Sequence, residues 1–154
     1  MAKRRRKISR RQEDYLEAVL TLLQETGAAR VRDIAARTGV SAPSVTAALK
    51  HLAEAGLVDY DPYELVQLTP DGRAVAEKVR GRHDALSDFL VNVLRVDAET
   101  ADANACRMEH VVDDRVLGRL GLLAEFLRQR PAGGRDWTER FAEFCRGREA
   151  RKQV

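Results

Sequence analysis

Apolar residues recur with helical period from Glu13 to Gln24, at Tyr15, Leu16, Val19, Leu20, Leu22 and Leu23, and Gly27 supplies a stop. A short second helix is predicted from about Val31 to Arg37, with Ile34 and Ala35 facing inward. Thr38-Gly39-Val40 reads as a tight turn, after which Ser41 caps a third helix with Pro43 in its first turn. That helix runs through Val45, Leu49 and Leu52 to Gly56. Leu57–Tyr60 and Leu65–Leu68 alternate like two short strands joined by a turn at Asp61-Pro62-Tyr63-Glu64. Helix, helix, turn, helix and hairpin is the order of a winged helix-turn-helix.

The second half of the chain reads as all helical. Thr69-Pro70-Asp71-Gly72 starts a long helix to about Leu94, with Val75, Val79, Leu86, Phe89, Leu90 and Val93 as its apolar stripe. Another helix is predicted from roughly Ala98 to Val112. Asp113 can cap the next, in which Val116, Leu117, Leu120, Leu123, Phe126 and Leu127 are the expected buried positions. Residues 130–134 form a Pro/Gly loop before a terminal helix that places Trp137, Phe141, Phe144 and Cys145 on one face. Residues 146–154 are polar and expected to fray. The fold class is therefore mainly α. We divide the chain into an arm (1–11), a winged helix-turn-helix domain (12–73) and a helical domain (74–154).

Charge sharpens this division. The first eleven residues hold seven basic groups and no acid; without them the 27 Lys and Arg fall to 20 against 24 Asp and Glu, a net of −4. A basic arm preceding a helix-turn-helix suits phosphate binding, because each neutralised phosphate releases condensed counterions; taken alone it reads equally as a solvated tail. No apolar run reaches the roughly 20 residues of a membrane span, and no apolar segment follows the basic arm to make a secretory signal. With two cysteines, Cys106 and Cys145, a disulfide framework is not expected, so the expected setting is reducing and cytoplasmic.

In a helix-turn-helix the N-terminal residues of the second helix meet base edges in the major groove. Here these are Ser41, Ala42, Pro43, Ser44, Thr46 and Ala47. Ser44 and Thr46 can hydrogen-bond, and Pro43 and Ala47 can touch thymine methyls. Arg30, Arg32, Lys50 and His51 are the candidates for phosphate contacts, which position the protein without reading sequence. Farther along, Cys106, Glu109 and His110 are offset by three and four. On a helix this puts a thiol, a carboxylate and an imidazole on one face, where they could jointly ligate a divalent transition metal. The same spacing is also common on an ordinary polar face.

Several segments in register resemble the DtxR/MntR family of iron- and manganese-dependent transcriptional repressors. They are Glu13-Asp14-Tyr15-Leu16-Glu17, Val31-Arg32-Asp33-Ile34-Ala35, Gly39–Thr46, Leu68-Thr69, Arg82-His83 and Ala105-Cys106-Arg107-Met108-Glu109-His110. The resemblance covers roughly residues 12–120. It implies a winged-helix domain followed by a helical metal-binding and dimerisation domain, in the short form without an SH3-like third domain. It further implies a homodimer that binds a palindromic double-stranded DNA operator when loaded with Mn(II) or Fe(II) and represses metal-uptake genes. Carried over by position, the ligands are Asp14, Glu17, His83, Cys106, Glu109 and His110. On the residues alone, Asp14 and Glu17 read as solvated acids, His83 as a surface histidine and Cys106 as a small buried hydrophobe.

The ligand set departs from a single type. Asp14 follows the manganese pattern and Cys106 the iron pattern. Carboxylates suit Mn(II), while a thiolate favours Fe(II), Co(II) or Zn(II), the last two being expected loads in vitro. Ser87 and Asp102 stand where the iron-type ancillary site has glutamate and histidine, and Glu64-Leu65 replaces a common Arg-Gly in the wing. Two other classes compete: a regulator sensing an oxidant or organic ligand through Cys106, and a metalloenzyme. No HExxH, P-loop or nucleophile elbow supports an enzyme.

Overall fold

Ser9 opens the first helix, α1 (Arg10–Thr26), through a reciprocal cap in which its hydroxyl accepts from the Gln12 N–H at 3.3 Å and Gln12 Oε1 accepts from the Ser9 N–H at 2.8 Å. Gly27, in the left-handed conformation, closes it. The computed structural model describes residues 8–62, 65–129 and 136–150, with side chains to 147. The arm at Lys3–Lys7, Tyr63 and Glu64 of the wing turn, the loop at 130–134 and residues 151–154 lie outside the described residues. Arg10 and Arg11, assigned to the arm by their charge, lie on α1.

The chain divides into two units, residues 1–80 and 81–154. In the first, α1 packs against α2 (Val31–Thr38) and α3 (Ala42–Glu54). Strands β1 (Val58–Asp59) and β2 (Gln67–Leu68) pair antiparallel, Val58 opposite Leu68. These are shorter than the predicted four-residue strands. The sheet gains instead from Ala29, which bridges to Val66 with the Val66 N–H donating to the Ala29 carbonyl at 2.9 Å. Nothing in the α1–α2 connection signals that bridge. The core is Leu16, Val19, Leu20, Ile34, Val45, Leu49, Leu52, Val58 and Val66. Burying each such side chain contributes about 1.5–3 kcal/mol.

The long helix α4 (Pro70–Asp88) starts at Thr69, whose hydroxyl accepts from the Gly72 N–H at 3.1 Å and donates to the Gly56 carbonyl at 2.8 Å. Gly72 sits so tightly on the backbone of Leu57 that a Cβ there would collide with its carbonyl oxygen. Gly72→Ala is therefore expected to destabilise the protein by about 1–3 kcal/mol, since backbone rather than a flexible side chain must yield. Urea denaturation followed by circular dichroism checks this, and an unchanged midpoint would contradict it. Farther along α4, Arg80 donates to Thr21 Oγ1 at 3.1 Å and Gln24 Oε1 at 3.0 Å, tying its own stretch to α1.

In the second unit α4 passes into a wide π-helical turn (Phe89–Val93) where a single helix to Leu94 was expected. Arg95 follows with φ of 59°, a left-handed conformation costly for a residue with a Cβ, while its guanidinium donates to Thr138 Oγ1 at 2.7 Å. The remaining helices are α5 (Ala98–Met108), α6 (Asp114–Arg128) and α7 (Trp137–Ala150). Asp97 caps α5 by accepting from the Thr100 N–H at 2.9 Å, a bond that holds its carboxyl below the usual range. Asp113 caps α6 as expected, accepting from the Arg115 N–H at 2.7 Å.

Two readings of this half are corrected. The helix carrying Cys106 stops at Met108, four residues short of Val112, and residues 109–112 form a turn. The α6 stripe is not a core: among its apolar residues only Ala124 is buried, Leu117, Leu120 and Leu127 are half-buried, and Val116, Leu123 and Phe126 are exposed. The buried set of this unit is small, chiefly Leu86, Phe89, Leu90, Val93, Ala101 and Ala105. It is filled by α4, the π turn and α5 before α6 can contribute its full face.

Candidate metal centre and DNA-reading surface

The candidate recognition helix α3 is anchored by Val45, Leu49 and Leu52, all fully buried. That burial turns Ser41, Ala42, Pro43, Ser44 and Ala47 outward, with Thr46 half-buried beside them. Ser41 occupies the N-cap position, but its hydroxyl meets Ser44 Oγ at 2.9 Å and makes no side-chain cap. The first helical N–H groups are thus left facing outward with short side chains around them, an arrangement that admits close backbone approach. Arg30, Arg32, Lys50 and His51 are all exposed. His51 has Nδ1 3.5 Å from Glu54, and Arg32 has Nε 3.3 Å from Asp33, surface contacts that contribute little to stability.

The candidate metal donors fall in both units. Asp14 and Glu17 stand one turn apart on α1, both half-buried, while Leu16 and Val19 between and beyond them are fully buried. In the second unit the structure brings together Glu109 and His110. The His110 Nε2 lies 3.0 Å from Glu109 Oε1, and the two side chains are 2% and 0% exposed. That exclusion of water decides their character. A carboxylate so deeply buried is tolerated only when paired or ligating, and a carboxylate with an imidazole is a donor set that suits a divalent transition ion.

The other two donors behave differently. His83 faces Asp102, with Nε2 3.3 Å from its Oδ1, and Asp84 lies on its other side at 3.6 Å from Nδ1. Cys106 is exposed on the last turn of α5, whereas Glu109 is buried. The expected single helical face is therefore broken. Glu109 keeps helical dihedrals as the C-cap, but His110 already belongs to the turn.

That turn is held by a residue whose role the sequence did not reveal. Arg82, next to His83, donates from Nε to the Glu109 carbonyl at 2.6 Å, and its terminal nitrogens reach the Val112 carbonyl and the Asp114 carboxylate. An arginine on a helix rich in polar residues carries no sign of such a contact.

An exposed small-residue helix α3 followed by a short hairpin, and a helical unit with a buried carboxylate–imidazole pair, define a winged helix-turn-helix protein with a candidate metal centre. The comparisons agree. Residues 7–66 match the iron dependent repressor N-terminal DNA binding domain, and residues 69–138 match the iron dependent repressor metal binding and dimerisation domain. The chain belongs to the iron dependent repressor family. It is 41% identical over 113 residues to the transcriptional regulator MntR of Escherichia coli O6:H1, covering 73% of this chain and 72% of that protein. It is 33% identical over 114 residues to an HTH-type transcriptional regulator of Methanocaldococcus jannaschii, covering 73% of this chain and 91% of that one.

Among solved structures, a manganese-dependent transcriptional repressor in complex with manganese superposes with a TM-score of 0.68 at 34% identity, over 78% of this chain. The manganese regulator SloR gives 0.66 at 30%, over 81%. The chain spans 55% and 58%, respectively, of those two chains. Among the described residues, no helix is long and apolar enough to cross a membrane.

Proposed function

We propose that this protein is a metal-activated repressor: it binds a palindromic DNA operator as a homodimer when loaded with Mn(II) or Fe(II), and it represses metal-uptake genes. The observation that carries the metal reading is the Glu109–His110 pair, withdrawn from water and 3.0 Å apart, in the part of the chain that matches the family's metal-binding domain. Asp14, Glu17, His83 and Cys106 complete the ligand set in this proposal, each standing where the family motif places a donor. Family membership in a group of regulators also favours binding over catalysis, so the metal acts as an effector.

A bound ion supplies charge and fixed coordination. The chain's own residues supply the response. Ligands drawn from α1 and from the helical unit would couple ion occupancy to the placement of α3, because an ion that binds one arrangement better than another shifts the population toward it. Ser41, Ala42, Pro43, Ser44, Thr46 and Ala47 then read base edges, and Arg30, Arg32, Lys50 and His51 hold phosphates. The thiolate of Cys106 draws preference toward softer ions, and the carboxylates draw it toward Mn(II). Fluorescence anisotropy on a palindromic operator tests the proposal. Added Mn(II) or anaerobic Fe(II) should tighten binding by about 5–150-fold over chelator, the usual span of such coupling. Equal affinity with metal and with chelator would refute metal control.

A further inference from the structure

Arg82 bonds to three partners in the helical unit, and those partners share one location. Helix α5 ends at Met108 and α6 begins at Asp114, so residues 109–113 make the corner between them. Helix ends leave carbonyls without intrahelical partners. Arg82 meets the carbonyl of Glu109, the α5 C-cap, together with that of Val112 in the turn and the carboxylate of Asp114 in the first turn of α6. One planar guanidinium thus spans both ends of the corner. Its side chain is only 15% exposed, so its bonds to the two carbonyls are partly withdrawn from water, while Asp114 stands at the surface at 62%. Asp113 adds an independent clamp by capping α6 through the Arg115 N–H.

The corner contains the two buried donors. Glu109 contributes its backbone carbonyl to Arg82 while its side chain meets His110, so the guanidinium grips the residue on one side and leaves its carboxylate directed to the other. We infer that Arg82 is a positioning residue for metal binding, holding the α5–α6 corner so that Glu109 and His110 present their donor atoms together. Resting on the metal reading above, this adds a residue that touches no ion yet sets the affinity for one. Partners that orient ligands typically carry 10–100-fold in metal affinity. Lysine is a poor substitute, because a single ammonium cannot span three acceptors with the geometry of the guanidinium fork.

The test is Mn(II) binding to the full chain, by calorimetry and by loss of the free-ion paramagnetic resonance signal. Wild type, Arg82→Gln, Arg82→Lys and His110→Ala are compared, together with the metal-free Tm of each. Arg82→Gln should raise the Mn(II) Kd by about 10–100-fold, with Arg82→Lys between it and wild type. The graded loss should persist in protein that is fully folded at the assay temperature. If Arg82→Gln does not fold, Arg82→Lys decides the matter. A lowered Tm with Mn(II) affinity equal to wild type in the folded Arg82 variants would make Arg82 a purely structural clamp and overturn the inference. In that outcome, loss of binding in His110→Ala keeps the metal reading intact. Wild type that binds no Mn(II) would overturn both.

Discussion

Glu109→Ala and His110→Ala are each expected to abolish the response of DNA binding to Mn(II) while leaving the helical content unchanged. Each removes one member of a pair whose side chains are 0% and 2% exposed and 3.0 Å apart. A ligand touches the ion itself, so its loss should exceed the roughly 10–100-fold that merely orienting partners carry. The remaining member is then left buried with one partner gone. A modest drop in stability, about 1–3 kcal/mol, should accompany the loss of binding. Calorimetry with Mn(II) reads the affinity, and anisotropy on the operator reads the consequence. Metal-free binding to DNA should match wild type, since both residues lie in the unit that does not carry α3. Unchanged Mn(II) affinity in both variants would place the metal elsewhere.

The extent to which this architecture was legible follows from where its determinants lie. The first unit reads well because local signals agree with packing. Gly27 and Gly39 stop helices by adopting left-handed dihedrals, and Pro43 sits in the first turn of α3. The apolar periods of α1 and α3 became a continuous core. What escaped was non-local. The Ala29–Val66 bridge joins residues far apart in sequence, and the Gly72 contact with Leu57 depends on two backbones meeting.

The candidate donors were legible only as a register. Spacing alone predicted one helical face for Cys106, Glu109 and His110, and the helix ended too soon to supply it. Val111 and Val112 follow, whose branched side chains weaken a helix end, and the Met108 carbonyl is shared between a tighter i−3 bond from the Val111 N–H and a last i−4 bond from the Val112 N–H. The corner is bonded by Arg82, which is 27 residues from Glu109 in sequence. Such a partnership has no period to betray it.

The stripe on α6 failed as a core for a different reason, and that failure leads to the other large expected effect. Val116 is 52%, Leu123 44%, Phe126 62% and Phe144 60% exposed. Amphipathic periodicity reports that a face will be covered, without saying by which chain. So many large apolar side chains on α6 and α7 exceed the scattered exposure normal for a monomer. Both helices begin within the segment that matches the family's dimerisation domain. A second copy of the chain is the expected cover, and two-fold pairing would set two recognition helices on one operator. Sedimentation at micromolar concentration should therefore give twice the 17.3 kDa chain mass. Phe126→Glu should dissociate the dimer without unfolding the protomer, since the side chain is already largely exposed within its own chain. Loss of a buried aromatic anchor costs about 2 kcal/mol or more, a factor of roughly 30 in Kd, and a carboxylate facing an apolar partner adds to it. Operator binding should weaken in step, because a monomer reads one half-site. A wild-type monomer with and without metal would show that something other than a second copy covers this face.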